Sequence, residues 1–137
     1  MQVCLASTSP ARLMLLRQVG IEPITQAPRT DEDAVAAAAA EARGGALPAA
    51  ELVQLLARAK AADVVARLTA EQPGFDGIVI GGDSMFEIGG RVYGKPYTAE
   101  EATRRWRGMR GSTGILHSGH CVLRVEPGRP PREATAV

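Results

Sequence analysis

Short apolar runs alternate with amphipathic stretches along this chain of 137 residues. The apolar run at residues 3–6 predicts a short buried strand, and Pro10 then opens a helix that Gly20 ends. Residues 21–24 predict a second, weaker strand. A strand, a serine-rich turn and a helix therefore come first, an order that is typical of an α/β domain.

The clearest helix is predicted from Pro48 to about Leu68, because apolar residues recur there at helical spacing. The apolar positions of this helix are Leu52, Leu55, Leu56, Ala59, Ala62, Val65 and Ala66. Upstream, the acidic turn at residues 30–33 is a candidate N-cap region for the alanine-rich run at residues 34–42. That run has almost no large side chains to bury, so we expect an exposed, variable segment that ends at Gly44.

The second half of the chain reads mainly as strands. Residues 78–80 predict the central strand, and the segment from Gly81 to Ser84 comes right after it. Residues 85–88 and 91–93 then predict a hairpin around a pair of glycines.

A helix is predicted from Thr98 to near Gly108, and its Trp106 is expected to pack the helix onto the sheet. Residues 117–125 predict another strand, and residues 126–137 have the composition of a hairpin loop or a tail. Together these elements predict that all 137 residues form one α/β domain, with a twisted mixed sheet flanked by helices.

Composition narrows the functional classes. Hydrophobic residues make up 45% of the chain and charged residues 23%, with 16 Lys and Arg against 15 Asp and Glu. Such a balance argues against a basic nucleic-acid binder, and no apolar run approaches the ~18 residues of a membrane span. We therefore expect a cytoplasmic protein with no nucleic acid or membrane partner. Cys4 and Cys121 each lie in an apolar run, where buried free thiols are expected.

The first candidate site is the turn Ser7, Thr8 and Ser9, which joins the first strand to the first helix. Hydroxyl and N–H groups at a helix N-terminus favour anions, so a phosphate can bind in such a turn. Alternatively, Ser9 only caps the helix. Arg12 in the first turn is placed unfavourably for the helix dipole, which slightly favours a role facing an anion.

The second candidate is Asp83, which follows the central strand and to which the hairpin returns Lys95. A carboxylate and a lysine so placed can hold a divalent metal against a phosphate, and ligands often bind at the carboxyl ends of strands in α/β sheets. Alternatively, Asp83 is an Asx-turn residue that happens to end a strand.

Two further patterns are interpreted as coincidences. Residues 89–95 match the first part of the P-loop pattern, but Pro96 replaces the hydroxyl residue that would bind magnesium. His117 and His120 lie three apart in a predicted strand, which directs their rings to opposite faces and argues against a zinc pair.

Taken in order, six short segments closely resemble the motifs of the Maf family of nucleoside triphosphate pyrophosphatases. The segments are residues 5–16, 31–32, 59–61, 82–84, 94–96 and 118–120. Each motif alone is weak, but their order and spacing over residues 2–125 are specific. Several variants are most similar to the actinobacterial branch of the family. The resemblance implies a Maf-like version of the α/β fold predicted above.

The resemblance implies a hydrolase of the nucleotide diphosphatase class. It would cleave a nucleoside triphosphate between the α- and β-phosphates, with Mg²⁺ or Mn²⁺, and release the monophosphate and pyrophosphate. The resemblance implies a house-cleaning role in the cytoplasm, against non-standard or surplus nucleotides. The family is also linked to arrest of cell division. Its members are often dimeric, so the resemblance also implies a homodimer.

Roles for individual residues are implied as well. Asp83 would be the proton acceptor that activates water or a ligand of the metal, and Glu32 would be a second candidate ligand. The residues that would bind substrate are Ser7, Ser9, Arg12, Glu32, Lys60 and Lys95. Ala11 and Ser84 occupy positions that the family associates with substrate choice.

At both specificity positions the chain departs from the family, which commonly has arginine in place of Ala11 and Thr or Gln in place of Ser84. The preferred base therefore stays open. Family members usually continue for a further half-domain, so we expect a truncated member that lacks the C-terminal part. Two alternatives to an active enzyme follow: a nucleotide-binding or division-regulating module without turnover, and an inactive fragment.

Overall fold

The computed structural model describes residues 1–137 and arranges them as a six-stranded mixed sheet with four helices. In chain order the elements are β1 (Gln2–Ala6), α1 (Pro10–Gln18), β2 (Ile24–Thr25), α2 (Glu32–Arg43), α3 (Ala49–Glu71), β3 (Gly77–Ile88), β4 (Arg91–Tyr93), α4 (Ala99–Met109), β5 (Ile115–Val125) and β6 (Arg132–Ala136). The predicted α/β class is confirmed. No helix combines the length and the apolar character needed to cross a membrane.

The strands follow the order β2-β1-β3-β5-β6, with β4 attached to β3. Parallel pairing joins β1 to β2 and to β3, whereas β5 runs antiparallel to β3 and β6 runs antiparallel to β5. The longest strand is β3, because the predicted central strand, the Gly-Gly-Asp-Ser segment and the first hairpin strand form one continuous run of 12 residues.

One edge of β3 is interrupted. Strand β5 pairs with residues 77–87, so β1 and β4 must share the opposite edge. Pairing with β1 ends at Gly81, and pairing with β4 begins at Phe86. Residues 82–85 therefore have no neighbouring strand on this side. We call this stretch the β3 gap.

Helix α3 covers one face of the sheet and supplies much of the core. Its buried residues are Ala49, Val53, Leu56, Ala57, Lys60, Ala61, Val64, Val65 and Leu68. They meet sheet residues such as Val79 and Cys121, which are fully buried. The helix was predicted over nearly this range, but its apolar face was assigned wrongly: only Leu56 and Val65 of the apolar positions are buried, and Ala62 is exposed.

Two sheet glycines explain why small residues of α3 face the sheet. A Cβ atom on Gly81 would lie 2.3 Å from the carbonyl oxygen of Ala57, and a Cβ atom on Gly119 would lie 2.4 Å from that of Val53. The helix backbone therefore lies directly against these residues, and only glycine permits so close an approach. This close contact places Ala57 and Ala61 directly against Gly81, and it brings Lys60 within reach of Asp83.

The helix termini follow the predicted chemistry. Ser9 caps α1, Asp31 caps α2 and Thr98 caps α4, each through a side-chain oxygen that accepts a backbone N–H three residues on. The alanine-rich segment is a regular helix without buried residues, and Gly44 ends it with a φ of 79°. That value lies in the left-handed region that glycine adopts at little cost.

Two predictions about the later part of the chain are wrong. Residues 126–137 were expected to form a hairpin loop or a tail; residues 126–131 do form the loop of a hairpin, but Arg132–Ala136 form β6 and extend the sheet along the free edge of β5. An ion pair of 2.9 Å between Glu133 and Arg58 links this strand to α3. Trp106 was expected to pack on the sheet but is 72% exposed, because α4 is rich in charge and buries none of its residues.

Candidate active site

A cleft of about 340 Å³ opens at the β3 gap. It is lined by Ser7, Thr8, Ser9, Arg12, Pro28, Glu32, Lys60, Asp83, Ser84, Met85, Gly94, Lys95 and Tyr97. The fold thus gathers every site residue predicted from the sequence except Ala11, which is exposed on α1 and does not line the cleft. Pro28, Met85, Gly94 and Tyr97 were not predicted as site residues.

Asp83 lies inside β3, opposite Gly119 of β5. Its interpretation as an Asx-turn residue is therefore wrong, and so is its placement after the strand. Glycine weakens a strand pattern, so the two glycines at 81 and 82 hide the continuation of β3 in the sequence. Parallel pairing with β1 does end at Gly81, so Asp83 still stands beyond the carboxyl end of β1, where α/β sheets commonly bind ligands.

A lysine joins two carboxylates at the inner wall of the cleft. The Nζ atom of Lys60 lies 2.6 Å from Oδ1 of Asp83 and 2.9 Å from Oε1 of Glu32. Lys60 and Asp83 are each only 8% exposed, whereas the Glu32 side chain is 47% exposed. The lysine offsets the cost of burying the Asp83 charge, because an unpaired buried carboxylate would be strongly unfavourable.

The second oxygen of Asp83 has no partner. Oδ2 is buried and accepts no hydrogen bond from the protein, although most buried polar atoms are paired. This atom, together with the free oxygen of Glu32, offers the oxygen ligands that Mg²⁺ and Mn²⁺ prefer. The chain has no group of three or more acidic, histidine or cysteine ligands. The pair therefore fits a cation that binds through one or two carboxylates and takes its other ligands from phosphate and water.

The opposite wall is built around Arg12. Its Nη1 donates to Oγ of Ser7 at 3.0 Å, and its Nη2 donates to Oγ of Ser84 at 3.1 Å. The Ser84 hydroxyl also shares a hydrogen bond of 3.0 Å with Ser118 on β5. A side chain anchored at both ends of its guanidinium presents its positive charge in a fixed place.

Gly82 makes room for this arginine. A Cβ atom on Gly82 would lie 2.9 Å from Nε of Arg12. Neither Gly82 nor Ser118 was predicted as a site residue, although both stand in motifs that carried the family resemblance. The signal was present in the sequence, but the contact with Arg12 depends on a strand register that the sequence does not state.

The serine turn caps the N-terminus of α1. Ser9 accepts a hydrogen bond from the backbone N–H of Arg12 at 3.5 Å, so the interpretation of Ser9 as an N-cap is confirmed. Ser7 accepts a bond of 3.1 Å from the backbone N–H of Ser9. Binding of a phosphate at this turn stays a prediction.

The outer wall is the segment at residues 94–97, which lies between β4 and α4. Lys95 is exposed in the cleft, and Nη1 of Arg105 donates to the carbonyl oxygen of Gly94 at 2.8 Å. The glycines at 89–90 form the turn between β3 and β4, so the partial P-loop match is a coincidence, as predicted. His117 bonds Glu87 at 2.8 Å and takes part in no metal cluster.

Shifts of pKa occur outside the cleft. Hydrogen bonds from Arg104 and Arg105 lower the pKa of Glu101 to about 2. Burial, with a smaller contribution from Glu133, raises the pKa of Cys121 to about 11, and burial also raises that of Cys4. Both cysteines are free and buried, as predicted, and neither reaches the cleft.

Comparison with known sequences identifies the family. A sequence model described as Maf-like protein matches residues 2–137. The chain belongs to the Maf-like protein family. The resemblance inferred from six ordered motifs is therefore confirmed.

Three curated relatives of this Maf-like chain bear the name nucleoside triphosphate pyrophosphatase. The protein of Leifsonia xyli subsp. xyli (strain CTCB07) is 54% identical over 123 residues, which are 90% of this chain and 56% of that protein. The protein of Mycobacterium sp. (strain JLS) is 46% identical over 127 residues, 93% of this chain and 58% of the relative. That of Rhodococcus erythropolis (strain PR4 / NBRC 100887) is 42% identical over 134 residues, 98% of this chain and 61% of the relative.

The chain thus spans 56 to 61% of the length of these relatives. The match to the family model, over residues 2–137, includes the serine turn, the Lys60 helix, β3 and β5. It therefore contains every residue that the structure brings to the cleft.

Proposed function

We propose that the cleft binds a nucleoside triphosphate and hydrolyses it to the monophosphate and pyrophosphate. The observation that carries this proposal is the meeting, in one cleft, of a buried carboxylate with a free oxygen and two cations, Arg12 and Lys95. The curated relatives bear the name of this activity. We further propose a nucleotide diphosphatase acting on non-standard or surplus nucleotides.

The substrate would be bound by the walls that carry Arg12 and Lys95. A triphosphate carries several negative charges, which Arg12 and Lys95, both lining the cleft, would neutralise. Ser7 and Ser9 stand beside the N-terminus of α1, where anions are favoured. Arg12 is already fixed by Ser7 and Ser84, so little conformational freedom is lost when phosphate binds.

The hydrolytic step is the attack of water on the α-phosphorus. Oδ2 of Asp83 would accept a proton from this water, a new P–O bond forms, and the bond from the α-phosphorus to the bridging oxygen breaks. The electron pair of that bond leaves with pyrophosphate, whose charge Arg12 and Lys95 stabilise. Lys60 holds the Asp83 carboxylate in place through its other oxygen, Oδ1.

Asp83 and Glu32 are the residues that would hold a divalent cation. When bound, Mg²⁺ or Mn²⁺ supplies positive charge that offsets the charge on the phosphates. The free oxygen of Asp83 suits both roles, that of a proton acceptor and that of a metal ligand. The cytoplasmic location and the homodimer stay predictions.

The test is pyrophosphate release from canonical and modified nucleoside triphosphates, with Mg²⁺ or Mn²⁺ present. Asp83→Asn keeps the side-chain shape and should abolish release. Asp76→Asn, just before β3 and outside the cleft, is the matched control and should leave release unchanged. Equal release from wild type and Asp83→Asn would refute the role of Asp83. Nucleotide binding without release from the folded chain would favour the binding module over the enzyme.

A further inference from the structure

One side chain of the cleft has no role in the chemistry above. Tyr97 is the single aromatic residue that lines the cleft, and it is 90% exposed. The other aromatic side chains lie elsewhere, among them Trp106 on α4. A large exposed aromatic contributes little to the fold, so burial does not explain why tyrosine stands here.

The backbone of Tyr97 is also unusual. Its φ of 58° makes it the one residue other than glycine with a positive φ. Tyrosine rarely adopts this left-handed conformation, and such outliers persist where the surroundings impose them. The surroundings here are tied down, because Arg105 bonds the carbonyl oxygen of Gly94 and Thr98 caps α4. The backbone N–H of Thr98 also donates to the carbonyl oxygen of Pro96 at 2.7 Å.

The rest of the cleft is suited to phosphates and not to a base. Its walls carry serine hydroxyls, Arg12, Lys95 and the Lys60 carboxylate pair, while a nucleotide also presents a flat aromatic ring. Stacking on an aromatic side chain is the usual way in which proteins hold such a ring, and it tolerates every base. Only one residue, Pro96, separates Tyr97 from Lys95, so an aromatic side chain stands close to a charge that would bind the phosphates.

We propose that Tyr97 is a binding residue whose ring stacks on the base of the bound nucleotide. This inference rests on the proposed nucleotide-binding function and adds a place for the base. Because stacking is tolerant of base identity, Tyr97 supplies affinity for nucleotides in general. Choice among bases falls to other residues of the cleft.

The test compares a nucleotide with the same phosphates lacking a base. Isothermal titration calorimetry measures binding of a non-hydrolysable α,β-methylene nucleoside triphosphate and of inorganic tripolyphosphate. Tyr97→Ala should weaken nucleotide binding about tenfold, within the range measured for base stacking, and leave tripolyphosphate binding unchanged. Tyr97→Phe and Tyr97→Trp keep a ring and should bind the nucleotide nearly as wild type does.

Trp106→Ala is the matched control, because Trp106 is another exposed aromatic of the same region that does not line the cleft. It should bind both ligands as wild type does. Equal losses for nucleotide and tripolyphosphate in Tyr97→Ala would overturn stacking, and so would an unchanged nucleotide affinity. A selective loss for the nucleotide supports stacking even if the chain releases no pyrophosphate, so failure of the hydrolytic function is seen separately.

Discussion

The pairing of Lys60 with Asp83 gives a prediction whose size follows from the structure. Replacing Lys60 with Met keeps the aliphatic stem that packs in α3 but leaves Asp83 as an uncompensated buried charge. The two side chains are only 10% and 11% exposed, so solvent screens them little. Removing one partner of such a pair costs about 3–5 kcal/mol, and Glu32, at 47% exposure, can turn into water at little further cost. We expect Lys60→Met to lower the free energy of unfolding by about 3 kcal/mol at pH 7.

Urea unfolding followed by circular dichroism measures this change, with Lys95→Met as the matched control. Lys95 lies in the same cleft but is exposed, so its replacement should alter stability by less than about 0.5 kcal/mol. Adding Asp83→Asn to Lys60→Met removes the stranded charge. The decrease in the free energy of unfolding should therefore be smaller for the double variant, by at least about 1 kcal/mol, than the sum of the decreases for the two single variants.

Two results would refute the reasoning. A loss below about 1 kcal/mol for Lys60→Met would mean that the pair is solvated or readily rearranged. If the changes in the free energy of unfolding of the two single variants added up to that of the double variant, Lys60 and Asp83 would not stabilise each other, whatever their distance. Either result would also weaken the view that Lys60 holds the Asp83 carboxylate ready for chemistry.

Neighbouring glycines and the buried thiols give the remaining predictions. Gly81→Ala places a Cβ against helix backbone and should cost several kcal/mol, or prevent folding, as a thermal melt would show. The Cβ of Gly82→Ala would meet only the movable end of the Arg12 side chain, so the melting temperature should change little. Tripolyphosphate binding, measured by calorimetry, should weaken several-fold because Arg12 is displaced. An unchanged affinity would contradict the role of the arginine. The pKa of Cys121 is raised in the fold, from 9.0 to about 11, so its contribution to stability is complete below pH 9 and should be lost as the pH rises toward 11. In thermal melts between pH 9 and 11, the melting temperature of Cys121→Ala should therefore fall less with pH than that of the wild type. An equally steep fall in the variant would contradict the prediction.

Local signals predicted the elements of the fold well. Pro10, Gly20, Thr98 and the glycine pair at 89–90 acted through backbone geometry and capping, which neighbouring residues largely determine. Strand β6 was missed because its sequence is short and polar, and only the open edge of β5 gives it a partner. The buried face of α3 was missed because the glycines that contact it lie on β3 and β5, which follow the helix in the sequence and come against it only in the fold.

The candidate site was predicted through family motifs more than through local physics. Asp83 was placed after a strand, whereas its position depends on where β1 stops pairing with β3. Ser118 and Gly82 act on Arg12 across a strand register, and a single sequence does not state which residues face one another. Tyr97 carried no signal at all, because its exposure and backbone conformation exist only in the fold.

The two sides of the cleft differ in how they are anchored, and this has a consequence for substrate range. Asp83 and Lys60 belong to the central strand and the core helix, so their positions can change only if the core itself loosens. Lys95 and Tyr97 lie on an exposed connection that is held to α4 by a few hydrogen bonds. The inner part of the cleft can thus keep one geometry while its entrance adjusts to rings of different size, which would suit the proposed action on a range of non-standard nucleotides.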